Sequence, residues 1–152
     1  MADRLNGIII SEVLADNAGD DAVNVNNQGG SNKQDEFIEF QNTTVADIDL
    51  GGYQVWSQKN GLLHEFDPGV QVIAGETVVV VGTFDRSLPA NSGLDNFYGA
   101  SGNNNAAAGY GGFLEDGESG KFDTLYLVDP DGNYIQLTYG SPNTVPSSLP
   151  PG

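Results

Sequence analysis

An all-β domain with two long loop insertions is predicted by three observations on this sequence. Its apolar residues cluster in short segments that alternate with period two or run β-branched, rather than repeating every 3.6 residues. Gly supplies 21 of 152 residues and Asn 15, a mix that favours turns over helices. Asn60-Gly61 lies between two extended segments, the strongest short-range hairpin signal in the chain. At 38% hydrophobic and 152 residues there is material for one core, and two full domains would be cramped. The domain is expected over residues 1–140, with 141–152, rich in Pro and Ser, as a tail or linker.

The first strand is expected from Gly7 to Leu14, where Ile8, Ile9, Ile10, Val13 and Leu14 give β-branched density. Residues 15–34 are polar and Gly/Asn-rich, longer than an ordinary connection between strands. Glu36-Phe37-Ile38-Glu39-Phe40 then alternates, so that Ile38 and Phe40 share a core-facing side with Glu36. Tyr53 to Ser57 and the segment after Gly61 form the hairpin. A two-residue Asn60-Gly61 loop sets Ser57 opposite His64, Trp56 opposite Glu65 and Val55 opposite Phe66, with Tyr53, Val55 and Phe66 on one face. Val70 to Ile73 is short and extended. Four consecutive valines, Val78 to Val81, predict a central strand covered on both faces. Residues 85–121 show little periodicity and read as a long excursion holding one short strand. A second hairpin pairs Thr124–Val128 with Tyr134–Thr138 around Asp129-Pro130-Asp131-Gly132-Asn133, placing Leu125, Leu127, Ile135 and Leu137 on one face.

Charge narrows the partners. Five Lys+Arg against 21 Asp+Glu give a formal net charge of -16, so direct nucleic-acid contact and anionic lipid binding are not expected. Neutral, cationic or metal-bridged partners are. With no cysteine, disulfides, thiol nucleophiles and Cys-ligated zinc are excluded. No apolar run approaches a membrane span, and the N-terminus has no basic segment leading into an apolar one. The Lys-poor, Asp-rich composition fits a salty or calcium-containing exterior, so a secreted or cell-surface location is expected, by another export route or as a piece of a longer chain. A cytoplasmic location is the alternative.

Asp35-Glu36-Phe37-Ile38-Glu39-Phe40-Gln41-Asn42 followed by Ile48-Asp49-Leu50-Gly51-Gly52-Tyr53-Gln54-Val55 resembles the lamin tail domain family in its bacterial form. Ile10-Ser11-Glu12-Val13, Phe66-Asp67-Pro68-Gly69-Val70 with Ile73-Ala74-Gly75-Glu76, and Leu127-Val128-Asp129-Pro130-Asp131-Gly132-Asn133 follow the family's order. The likeness covers most of residues 7–84 and 122–140. The 15–34 loop and the 85–121 excursion are longer than in the animal form. The resemblance implies an immunoglobulin-like β-sandwich of about seven to nine strands with no catalytic residues. In bacteria such domains look like accessory modules of secreted or surface proteins. The chromatin contact of the animal form is not carried over to a chain of this charge.

Candidate sites follow from the acids and aromatics. Glu12, Asp16, Asp20, Asp21, Asp35 and Glu36 converge if the 15–34 loop folds back. Asp16, Asp20, Asp21 and Asp35 then offer hard oxygen ligands for calcium, the one cofactor the sequence suggests. The competing reading is a solvated acidic loop, favoured because no EF-hand order of ligands and glycine occurs there. Asp129–Asn133 has its glycine fourth rather than sixth and reads as a hairpin turn. Glu115-Asp116-Gly117-Glu118 reads as a solvated acidic knot. His64, the single histidine, is expected on a polar strand face, without a Gly-x-Ser-x-Gly context. Trp56, pointing away from Tyr53 and Val55, is either a platform for a sugar or protein or packed beneath the 85–121 excursion. Asn42-Thr43-Thr44 matches the N-glycosylation pattern.

The function expected is a non-catalytic binding or architectural module of a larger, exported protein, acting by protein or polymer contact through the two long loops. The alternative is a calcium-dependent hydrolase or enzyme component that uses acidic loop carboxylates. The sequence carries no signal for stoichiometry.

Overall fold

The inward-facing residues of two alternating sheets meet in a single core. The computed structural model describes residues 4–14, 36–82, 87, 89–101 and 122–140. Among them run ten strands: β1 (Ile8–Leu14), β2 (Phe37–Asn42), β3 (Ile48–Asp49), β4 (Gln54–Ser57), β5 (Gly61–Glu65), β6 (Gln71–Val72), β7 (Thr77–Val81), β8 (Phe97–Gly99), β9 (Phe122–Val128) and β10 (Tyr134–Gly140). One sheet has the order β1-β2-β7-β8 and the other β10-β9-β4-β5, while β3 and β6 form a small side sheet. All pairings are antiparallel except β7 with β8. The eight strands of the two larger sheets make the immunoglobulin-like sandwich and fall within the expected number. No helix among the described residues is long and apolar enough to cross a membrane.

From the first sheet the core takes Ile8, Ile38, Phe40, Val78 and Val80; from the second, Val55, Leu63, Leu125, Leu127 and Ile135. Period-two alternation produces this set, because consecutive strand side chains point to opposite faces. Burial of each such side chain is worth roughly 1.5–3 kcal/mol. Glu36 is fully buried beside this face, in line with the expected alternation. Val79 and Val81 are buried as well, so β7 is covered on both sides as its four valines predict. In β1 the register shifts between Ile10 and Glu12. The extra residue, Ser11, donates its hydroxyl to the carbonyl (3.2 Å) and the side chain (2.8 Å) of Glu39.

The second hairpin keeps the predicted shared face, and its register, open by one residue in the sequence, sets Leu127 opposite Ile135 and Leu125 opposite Leu137. The first differs from expectation. Ser57 pairs with Gly61, Trp56 with Leu62 and Val55 with His64. The loop is thus three residues, Gln58 to Asn60, and of the Asn60-Gly61 pair only Gly61 has a positive φ, 79°. The cause lies on a neighbouring strand. The Asp123 carboxylate of β9 accepts from the Lys59 amide (3.2 Å) and from the Ser57 hydroxyl, whose oxygen in turn accepts from the Asn60 amide (3.0 Å). A bulge opposite Val55 and Trp56 then lets Leu63 and His64 both turn inward. Tyr53, Val55 and Phe66 still join one core face, as expected.

Asn42 ends β2 and ties the small sheet to it. Its amide donates to the carbonyls of Ala46 (2.7 Å) and Val72 (3.0 Å), while its oxygen accepts from the Thr44 amide (2.9 Å) and hydroxyl (2.7 Å). Full burial with every hydrogen-bonding position occupied leaves no room for a glycan on this side chain in the folded domain, although the surrounding tripeptide fits the pattern. Asn42→Ala is expected to lose about 3 kcal/mol or more in denaturant unfolding, since several buried groups lose their partner together. Expression in a eukaryotic secretory pathway should leave Asn42 without a glycan in intact-mass spectrometry.

Candidate functional site

Three sheltered ionisable side chains, Asp123, Asp129 and His64, each hold a piece of the fold. Asp123 is fully buried on β9, and besides Ser57 and Lys59 it accepts from the Thr124 amide at 2.8 Å. Burial raises its carboxyl pKa above the ordinary value, and the hydrogen bonds from Ser57, Lys59 and Thr124 pull the other way. Asp129 opens the β9–β10 turn. Its carboxylate accepts from the amides of Asp131 (3.0 Å) and Asn133 (2.9 Å) and from the Asn6 side chain (3.1 Å), which also donates to the Tyr53 hydroxyl (2.7 Å). Burial pushes this carboxyl upward, yet the hydrogen bonds, that of Asn6 foremost, outweigh it and hold the pKa below its ordinary value.

His64 sits at the corner where β5 approaches the β8 segment. The expectation of a polar strand face is overturned: the ring is 6% exposed, edge-on to Phe66 at 4.6 Å and 6.2 Å from Tyr98. The bulge in β5 is what turns it inward. Its Nδ1 shares a hydrogen bond with the Ser101 hydroxyl at 3.1 Å, and Ser101 also accepts from the Glu65 amide at 3.1 Å. Burial lowers the His64 pKa to about 4, against the opposing pull of Asp67, Glu65 and the Gly99 backbone. The ring is therefore neutral at pH 7 and joins the two sheets as a packed, hydrogen-bonded group.

At the surface, an open groove of about 450 Å³ is lined by Gln71, Ile73, Glu76, Thr77, Gly93, Asp95, Asn96 and Tyr98. One wall is the β6–β7 turn, closed by the Glu76 amide donating to the Ile73 carbonyl (2.9 Å) and braced by the Ala74 amide on the Asp47 carboxylate (2.9 Å). The other wall leads into β8 and is tied across by the Asn96 side chain donating to the Thr77 carbonyl at 3.0 Å. Ile73 is 49% exposed, one of two large apolar side chains left open among the described residues.

This sandwich, with its strand order and its turn at Asp129–Asn133, carries the ordered segments that resemble one family. A family model described as Lamin Tail Domain matches residues 3–141. The chain belongs to that family. No curated protein matches it. Lamin tail domains are immunoglobulin-like modules that are typically non-catalytic.

Within this lamin tail domain the acids expected to hold calcium, Asp16, Asp20, Asp21 and Asp35, lie outside the described residues, as does Glu115–Glu118. The two flanking acids do not share a setting: Glu12 is exposed on β1, whereas Glu36 is fully buried. No group of three or more His, Asp or Glu residues suited to a metal occurs among the described residues. Trp56 faces away from the core, as expected. It is half-buried, and its indole donates to Gln54 (2.9 Å), whose amide donates to Glu65 (2.8 Å). Asp95, Asn96 and Tyr98 of the groove were not visible beforehand, because they fall in a stretch with no periodic signal and reach Glu76 and Thr77 only through the parallel β7–β8 pairing.

Two outcomes follow from these contacts. Asp123→Ala, which deprives three donors of their acceptor, is expected to cost about 2–4 kcal/mol in urea unfolding, and Asp123→Asn clearly less because an amide oxygen still accepts. For His64 the folded pKa lies below the unfolded value of 6.5, so the unfolded chain binds the extra proton first and stability falls as pH drops from 6.5 toward 4. Unfolding at pH 7 and pH 4.5 should show a loss of roughly 2 kcal/mol from this group, and His64→Leu should remove that share of the slope.

Proposed function

We propose that this lamin tail domain is a non-catalytic contact module of a larger, exported protein, acting through its surface on another protein or polymer. The observation that supports this reading most is where the sheltered polar groups direct themselves. Asp123, Asp129 and Asn42 spend their hydrogen bonds on turns and strand junctions, and His64 directs its Nδ1 to Ser101. Interaction is thereby left to the surface, where the groove beside β7 is walled by backbone hydrogen bonds. Membership of a family of typically non-catalytic modules supports it further, and an acidic, Lys-poor surface suits an exterior of high ionic strength.

The test is an assay panel of phosphomonoester, phosphodiester and glycoside substrates, each with EDTA and with millimolar calcium or magnesium. No turnover above buffer is expected. Turnover that rises with protein concentration and disappears in Asp20→Asn/Asp21→Asn would overturn the reading. Thermal unfolding followed by Trp56 fluorescence, in EDTA and then in millimolar calcium at constant ionic strength, runs alongside it. A midpoint unmoved beyond general salt screening is expected, because a ligand bound only by the native state must raise it.

A further inference from the structure

We infer that the groove between the β6–β7 turn and the segment entering β8 receives a cationic polypeptide segment, one bearing Lys or Arg. This inference rests on the contact-module reading and names its partner class. Four features of the groove point there. Among the described residues the two charged ones that line it, Glu76 and Asp95, are both acidic and exposed, one on each wall, and none is Lys or Arg. Tyr98, half-buried in the lining and packed at 5.7 Å against Phe66, adds aromatic surface for the methylene stem that carries a cation. Ile73, half exposed, supplies apolar surface for that stem. Gln71, Thr77 and Asn96 add neutral hydrogen-bonding groups for a peptide backbone.

The size also fits. A volume of about 450 Å³ lies within the roughly 300–1,000 Å³ of ordinary ligand clefts, enough for one long side chain with its flanking backbone. Both walls are braced by the hydrogen bonds of Glu76 to Ile73 and Asn96 to Thr77, so little ordering is required on binding. A net charge of -16 draws any cationic segment toward the domain, and the groove supplies the local complementarity that a diffuse charge does not.

Gly93 provides a probe independent of charge. It lines the groove, its φ is unexceptional, and a Cβ built on it meets nothing within 4 Å, so a larger side chain projects into open space without backbone strain. The experiment measures fluorescence anisotropy of a labelled Lys/Arg-rich decapeptide with the full chain and three variants. Glu76→Gln/Asp95→Asn and Gly93→Leu are each expected to raise Kd roughly tenfold, the first by removing the carboxylates and the second by filling the space. Glu12→Gln/Asp131→Asn, an equal change of charge at exposed residues outside the groove, should leave Kd within about twofold. Circular dichroism of each variant confirms that it is folded. Equal weakening by the two charge pairs with no effect of Gly93→Leu would overturn the groove assignment and leave a contact module that acts elsewhere. Absence of peptide binding to the parent chain at low salt would also overturn it. The contact-module reading itself stands or falls on the turnover panel.

Discussion

Everything in this domain depends on the meeting of two inward faces, with Ile38, Phe40, Val78 and Val80 on one sheet against Val55, Leu125 and Leu127 on the other. Each sheet exposes apolar side chains on one face that water would not tolerate, and neither is stable without its opposite number. Turns, caps and the groove are positioned by strands whose own geometry is set by this contact. The polar clamps act at its margins. Asn42 binds the side sheet to β2, Asn6 and Asp129 draw the N-terminal turn to the β9–β10 turn, Asp123 fastens the β4–β5 loop, and His64 with Ser101 closes the corner between β5 and the segment after β8. Asn42, Asp123 and Asp129 are buried, and buried polar groups cost free energy unless partnered, so a change in any of the three should be felt well beyond its own strand.

Most of the sandwich was legible in the sequence because strand alternation is a local property. Ile38 and Phe40, Leu125 and Leu127, and the valines of β7 could be assigned to faces from two-residue periodicity alone. The β9–β10 register could be read to within one residue because its turn is stabilised from within, by Asp129 on its own following amides. The β4–β5 register could not. Its loop is shaped by Asp123, more than sixty positions away, and nothing in residues 57–61 reveals that acceptor. The same limit applied to His64: one inserted residue in the ladder carried a side chain expected on a polar face into the core. The groove was less legible still. It is assembled by a parallel pairing between β7 and a strand reached through an aperiodic stretch, and no residue in that stretch advertises its partner.

The lamin tail domain match points to an immunoglobulin-like module of a typically non-catalytic family, and the contact role is proposed on top of it. In the proposed reading, charge limits the partner. A domain carrying five basic residues in 152 has little capacity for anionic polymers, while its acids are numerous enough that only geometry can single out two of them. Glu76 and Asp95 are distinguished by the walls that present them rather than by their number.

The pairing of β4 with β9 joins Gln54 to Val128, so the second sheet cannot form until a long stretch of chain has been brought round. Closing so large a loop makes folding slow relative to helical domains of the same size. It also makes the loop's length thermodynamically forgiving, since doubling a flexible loop adds only about 0.6 kcal/mol of closure entropy. A sandwich already bearing that cost can accept insertions between β8 and β9 with little further penalty, and the fold is thereby suited to carrying segments of very different lengths on one unchanging frame.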